Sequence, residues 1–225
     1  MMNVTVLQFP GTNCEYDTKY AFEKLACNVT ILWHKEIKLP ENTDLLVIPG
    51  GFSYGDYLRS GAIARFANIM DSVQEYAKNG GKVLGICNGF QILLEAGLLP
   101  GAMKRNASLN FISKYNHLKV INNDNCFLQK LNLGEVINIP VAHHDGNYYI
   151  DNDGLKQLEE NNQILLKYCN KDGEIENLNG SVAQIAGICN KEKNIFGLMP
   201  HPERAIENLL GCDDGIKMLE GFLKL

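Results

Sequence analysis

The chain has 225 residues, 45% of them hydrophobic and 21% charged, with a net charge of −5. That is the balance of a globular chain with one sizeable core, and the scatter of its Lys and Arg residues excludes a basic nucleic-acid face. No apolar run reaches the roughly 20 residues that a membrane span needs, and MMNVTVLQFP offers no basic, apolar leader, so a cytoplasmic chain is expected. Seven cysteines, with no CxxC pair and no Cys/His group at zinc spacing, point to reduced thiols, with neither a disulfide framework nor a bound metal.

In chain order, Val4 to Leu7 is a short, β-branched strand and Glu15 to Leu25 a helix with Ala21, Phe22 and Leu25 on one face. Val29 to Trp33 and Asp44 to Ile48 are further strands, the latter apolar throughout, as in a strand covered on both faces. The spacing of Ile63, Phe66, Ala67, Met70, Val73 and Ala77 predicts one long amphipathic helix, ended by Gly80-Gly81. Val83 to Ile86 is a buried strand and Phe90 to Leu94 opens a helix. From Leu118 to Tyr168 the pattern changes: Leu118 to Ile121, Val136 to Ala142 and Asn147 to Ile150 are short strands between Asn/Asp/Gly turns. Ser181 to Cys189 and Ile195 to Met199 are strands, and Ile216, Leu219, Phe222 and Leu223 mark a closing helix. The alternation predicts one α/β domain over residues 1–225, with a mostly parallel central sheet, helices on both faces and a small antiparallel extension.

In such sheets function gathers beyond the carboxyl ends of the strands. Three segments fall there: Pro49-Gly50-Gly51, Gly85-Ile86-Cys87-Asn88-Gly89 and His201-Pro202-Glu203. The second has the G-x-nucleophile-x-G form of an elbow, in which flanking glycines let strand and helix close up around an exposed nucleophile. A thiol there meets the free N–H groups of a helix start, which favour a thiolate. The competing reading, a small buried hydrophobe, suits the other six cysteines better than Cys87. A thiolate needs a base, and His201 at a strand end, with Glu203 able to turn back onto it, forms a nucleophile–base–orienter set. HPE is equally the start of a helical turn, with Pro in its first position, and both readings hold together. The backbone N–H groups of Gly51 and Asn88 are the natural oxyanion donors, although Gly50-Gly51 alone is most simply a turn. The glycine-rich stretch lacks GK[ST] and is no phosphate loop.

PGG, GICNGFQIL and HPE in that order resemble the class I glutamine amidotransferases of the Cys-His-Glu type. The blocks GTNCEYDT, PGGFSYGDYLRSGAIARFANIM, GLLPGAM, NGSVAQIAGICN and GLMPHPERA narrow the resemblance to the purine-biosynthesis branch of that family and span most of Gly11 to Cys212. The resemblance implies a flavodoxin-like α/β fold and catalysis by Cys87, His201 and Glu203. It implies an oxyanion hole at Gly51 and Asn88, and glutamine contacts from Phe52, Ser53 and Gln91. It further implies that ammonia passes to a large synthetase subunit, with a small bridging subunit between them. No cofactor is expected in this chain; ATP and magnesium belong to the synthetase. Tyr54, Arg59, Arg65 and His143 are candidates for the site mouth or the partner-facing surface, with a solvated loop or a turn as the alternatives. His144 departs from the family's VAH-x-x-G pattern, where a glycine is expected. An amidotransferase serving another acceptor and a non-catalytic subunit of the same fold are the rival readings. The Phe52 to Arg65 block argues against the first and the intact triad against the second.

Overall fold

The computed structural model describes residues 1–223. Its strands are β1 (Asn3–Gln8), β2 (Asn28–Trp33), β3 (Leu45–Ile48), β4 (Lys82–Ile86), β5 (Ala102–Lys104), β6 (Ile112–Val120), β7 (Val136–His143), β8 (Asn147–Tyr149), β9 (Ile164–Cys169), β10 (Ile185–Cys189) and β11 (Ile195–Leu198). Its helices are α1 (Glu15–Lys24), α2 (Ile69–Lys78), α3 (Asn88–Glu95), α4 (Asn152–Glu160) and α5 (Gly215–Glu220). Nine strands form one sheet in the order β2-β1-β3-β4-β11-β10-β9-β6-β7, and β5 and β8 form a separate antiparallel ribbon.

The sheet has two halves. From β2 to β11 every pairing is parallel, and from β11 to β7 every pairing is antiparallel. The expected parallel sheet is therefore present, and the antiparallel strands continue it edge to edge. Composition explains the centre: Leu45, Leu46, Val47 and Ile48 of β3 are all fully buried, as are Val83, Leu84 and Ile86 of β4. A strand apolar on both faces is stable only when both faces are covered. β2 at the edge alternates exposed and half-buried residues instead. On the far side Phe127, Phe196 and Phe222 stack together, joining the β6–β7 connection to β11 and the end of the chain.

Three elements differ from the periodicity. The long helix expected from Ile63 to Ala77 breaks into a 3₁₀ turn, Ala64–Phe66, and α2, because Ala67 is extended at φ −66°, ψ 142°. Phe66, placed on the apolar face by its spacing, is 71% exposed. Its ring instead lies under the Arg65 guanidinium, 4.5 Å away. The strand expected from Ser181 begins at Ile185, since Ala183 and Gln184 adopt left-handed φ of 48° and 56°. Within Leu118 to Tyr168 stands α4, capped by Asp151 Oδ1, which accepts from Gly154 N–H at 2.8 Å.

Candidate active site

Cys87 follows β4 and caps α3 with φ 51°, ψ −106°, a strained conformation for a side-chain-bearing residue. Packing holds it there. A Cβ on Gly89 would meet Ile48 O at 1.8 Å, and one on Gly85 would meet Gly89 C and O at 2.8 Å, so α3 begins in direct contact with the ends of β3 and β4. The thiol is buried, and Sγ donates to Ala142 O at 3.7 Å. Asn88 N–H lies in the first turn of α3, where a backbone donor has no partner inside the helix. The Asn88 side chain locks the elbow to the segment after Gly51. Its Oδ1 accepts from Ser53 N–H at 3.0 Å, and its Nδ2 donates to Gln91 Oε1 at 2.8 Å and Asp56 Oδ1 at 3.4 Å.

His201 reaches Cys87 because β11 is the parallel neighbour of β4, with Leu198 opposite Ile86 and Cys87 N–H donating to Leu198 O at 2.8 Å. Gly50 fills the notch between them: a Cβ there would meet His201 Cε1 at 2.8 Å, Cys14 Sγ at 3.0 Å and Cys87 Cβ at 3.4 Å. The 3₁₀ turn Pro202–Arg204 brings Glu203 back onto the imidazole, with Nδ1 and Glu203 Oε1 hydrogen-bonded at 2.6 Å. Both side chains are buried, and His201 Nε2 has no other hydrogen-bond partner. Burial opposes the imidazolium, but the Glu203 carboxylate, and then Cys87 and Cys14, hold His201 well above its ordinary range. Gly51, at φ +143°, sits against Thr12 and Asn13; a side chain there would meet Asn13 N at 2.7 Å.

A cavity of about 590 Å³ opens over Cys87, lined among others by Gly51, Phe52, Asp56, Gln91, Arg105, His143 and Asp145. Another of about 620 Å³, around Cys27, Asp44, Tyr76 and Lys82, contains none of the residues singled out for chemistry, so the reacting groups assign the site to the first. Gln91 is held between Asn88 and Asp145 O, to which its Nε2 donates at 2.6 Å. Ser53 is buried and bonded through its N–H, and its Oγ is unpartnered. His143 is buried, and desolvation followed by the nearby His201 charge pushes it down to about 4, so it is neutral at pH 7.

The mouth candidates divide. Arg59 lines the cavity and pairs with Glu95 through two hydrogen bonds, at 2.5 and 2.7 Å. Arg65 is exposed and donates to Glu95 O at 3.2 Å. Tyr54 does not face the mouth: its Oη and His34 Nδ1 share a hydrogen bond at 2.7 Å, and its ring packs near Phe9, so the apolar ring is half-buried. His144 is tied to Leu109 O at 2.9 Å.

Three polar residues near the reacting groups went unmarked by their spacing. Asp56 and Asp145 face the cavity. Cys14, read as a small buried hydrophobe, is buried but not apolar in its contacts: Arg204 Nη2 donates to its Sγ at 3.2 Å. Cys14, His201 and Glu203 place one potential ligand atom each within 4.8 Å of one another. The His201–Glu203 hydrogen bond already occupies that carboxylate, so the trio fits a proton relay better than a metal cage. The only sequence signal for Asp56 was an acid set among Tyr and Gly residues in FSYGDYL.

A nucleophile elbow facing a buried His–Glu pair across two adjacent parallel strands is the arrangement of a cysteine-dependent acyl-transfer enzyme. The model of the CobB/CobQ-like glutamine amidotransferase domain matches residues 1–211, and the chain belongs to that family. Over 99% of its length the chain is 67% identical to the phosphoribosylformylglycinamidine synthase subunit PurQ of Sulfurimonas denitrificans, covering 100% of that protein. The PurQ subunit of Campylobacter jejuni is 58% identical, with 99% and 96% covered. Among solved structures, the chain matches one chain of PurLQS from Thermotoga maritima with a TM-score of 0.88 and 40% identity, over 98% of this chain and 97% of that one. A GMP synthase subunit from Thermoplasma acidophilum, 16% identical with a TM-score of 0.65, shares the fold.

Proposed function

We propose that this chain is the glutaminase subunit of phosphoribosylformylglycinamidine synthase. The observation that carries this is likeness along the full length to subunits of that name, together with Cys87 and the His201–Glu203 pair at one cavity. The Cys87 thiolate attacks the side-chain amide carbon of glutamine, and the oxyanion is stabilised by the N–H groups of Gly51 and Asn88. The His201 imidazolium, steadied by Glu203, protonates the departing nitrogen. Ammonia leaves and a glutamyl thioester remains on Cys87. Neutral His201 then takes a proton from water, which attacks the thioester; glutamate departs, restoring thiolate and imidazolium. Phe52 and Gln91 line the space for the substrate side chain.

Ammonia passes to a large synthetase subunit, joined by a small bridging one, which holds ATP and magnesium and converts formylglycinamide ribonucleotide to its amidine in purine biosynthesis. Arg59 and Arg65 lie on the face offered to that subunit. No helix among the described residues is long and apolar enough to cross a membrane, and the seven free cysteines suit the reducing cytoplasm, where we place the chain. The test is glutamate release by the purified chain with and without the synthetase. Strong turnover is expected in the complex and none with Cys87→Ala, while that complex still makes the amidine from added ammonia. Glutamine turnover by Cys87→Ala refutes the nucleophile, and a wild-type complex that uses ammonia but not glutamine refutes the function.

A further inference from the structure

The polar groups left unspent in the Cys87 cavity are acceptors. His143 shows this at the buried end. Asn106 Nδ2 donates to Asn110 O and to His143 O, both at 2.9 Å, while its Oδ1 accepts from Gly146 N–H at 3.1 Å. The amide orientation is thus fixed, so His143 Nδ1, 3.0 Å from the same Oδ1, carries the proton. His143 Nε2 is therefore a lone pair, 97% of the residue's surface is buried, and the atom has no partner. It needs a donor.

Two carboxylates stand on the same cavity wall, and they differ in what already holds them. Asp145 accepts from Ser60 Oγ at 2.9 Å and from Arg105 Nε at 3.3 Å. Asp56 has only the long 3.4 Å contact from Asn88 Nδ2, and among the described residues no Lys or Arg lies within ion-pair distance of it. It is held in place by a run of left-handed backbone, with Tyr54, Gly55, Asp56 and Leu58 at φ of 52°, 69°, 55° and 70°. Strain of this kind persists where the surrounding structure fixes the residue for a purpose. Burial pushes the Asp56 carboxyl up to about 6, opposed by the Ser60 hydroxyl and reinforced by Asp145. A half-buried carboxylate beside a second one calls for a cation from outside the chain.

Resting on the glutaminase reading, we infer that Asp56 is the subsite for the α-ammonium group of glutamine, with Arg105, beside Asp145, taking the α-carboxylate. The juxtaposition explains the chemistry of both ends. The Asn88 side chain joins the elbow at Cys87 to Asp56, so a ligand spanning amide to α-carbon lies along Asn88. Asp56 acts on recognition of the substrate and touches no bond that breaks.

The experiment compares L-glutamine with 4-carbamoylbutanoate, which is glutamine without its α-amino group, using the chain assembled with its partner subunits. Wild type is expected to prefer glutamine. Asp56→Asn lowers kcat/KM for glutamine by about 10- to 100-fold, the loss of one charge-assisted hydrogen bond, chiefly through KM. It leaves turnover of the deamino compound unchanged within about twofold, the scale of a removed group that makes no contact. Asp56→Glu restores part of the preference. A variant damaged only in its fold loses both substrates in equal proportion, and an equal ratio in wild type and Asp56→Asn overturns the assignment. Absence of glutamine turnover in the wild-type complex overturns the glutaminase reading instead, so the two failures are separable.

Discussion

Gly89→Ala adds one methyl group at the tightest approach in the molecule. The new Cβ would sit 1.8 Å from Ile48 O and 2.6 Å from Ile48 C, where ordinary contact begins at 3.4 Å. The deficit is 1.6 Å against a backbone carbonyl, which has no rotamer to escape into. Either α3 lifts off β3 or β3 leaves its place between β1 and β4. Overpacking a core with a flexible neighbour costs about 1–3 kcal/mol, and a backbone clash of this size belongs at or above the top of that range. We expect a loss of about 3–5 kcal/mol from a fold whose total stability is about 5–15 kcal/mol. Urea unfolding followed by circular dichroism measures it. Lifting α3 also moves Asn88 N–H away from Gly51, so glutamine turnover in the complex falls in step. Gly97→Ala is the control: its Cβ meets nothing within 4 Å, and its φ of +70° costs only about 1–2 kcal/mol of backbone strain. A Gly89→Ala protein destabilised by less than about 1 kcal/mol, with normal turnover, refutes the claim that this contact sets the elbow.

Two further expectations concern charge. Glu203→Gln takes away the anion that holds the His201 proton, and glutamine-dependent turnover should fall by about 10²–10⁴-fold while ammonia-dependent synthesis persists. Because the native imidazole is raised, its contribution to stability is complete below the unfolded value and is lost as pH rises through the native one; Glu203→Gln should flatten that alkaline loss in pH-dependent unfolding. Asp56 has the opposite sign: its carboxyl titrates at about 6 in the native state against 3.8 in the ordinary case, so rising pH through that window costs stability. Asp56→Asn should make the free chain more stable above pH 6 by roughly 1 kcal/mol, allowing for its solvent exposure, with the gain vanishing below about pH 4. Equal unfolding midpoints at pH 8 would contradict this.

What the residues reveal locally was legible; what depends on through-space pairing was not. β3 and β4 announced themselves because each is apolar on both faces, and the elbow because two glycines flank a thiol. The Ala67 break was hidden, since one extended residue leaves the i, i+3, i+4 spacing of its neighbours intact. α4 was missed because Leu158 is its only fully buried residue, too thin an apolar face to register. Tyr54 looked like a mouth residue because a tyrosine beside glycines suggests an exposed loop; its partner His34 lies 20 positions away. The nearness of Asp56 and Asp145 depends on β7 reaching the Cys87 side of the sheet, which no local pattern encodes.

The pairing of β11 with β4 also governs when the enzyme comes into being. Val83 and Ile195 are register partners 112 positions apart, and β11 slots into the interior of the sheet, not onto its edge. A nascent chain that has completed β4 and its elbow carries the thiol but neither its base nor the strand that buries it. Contacts of such sequence separation form late. Glutamine turnover therefore reports a finished molecule, and chains that stall or terminate before Ile195 cannot release ammonia with no synthetase to receive it.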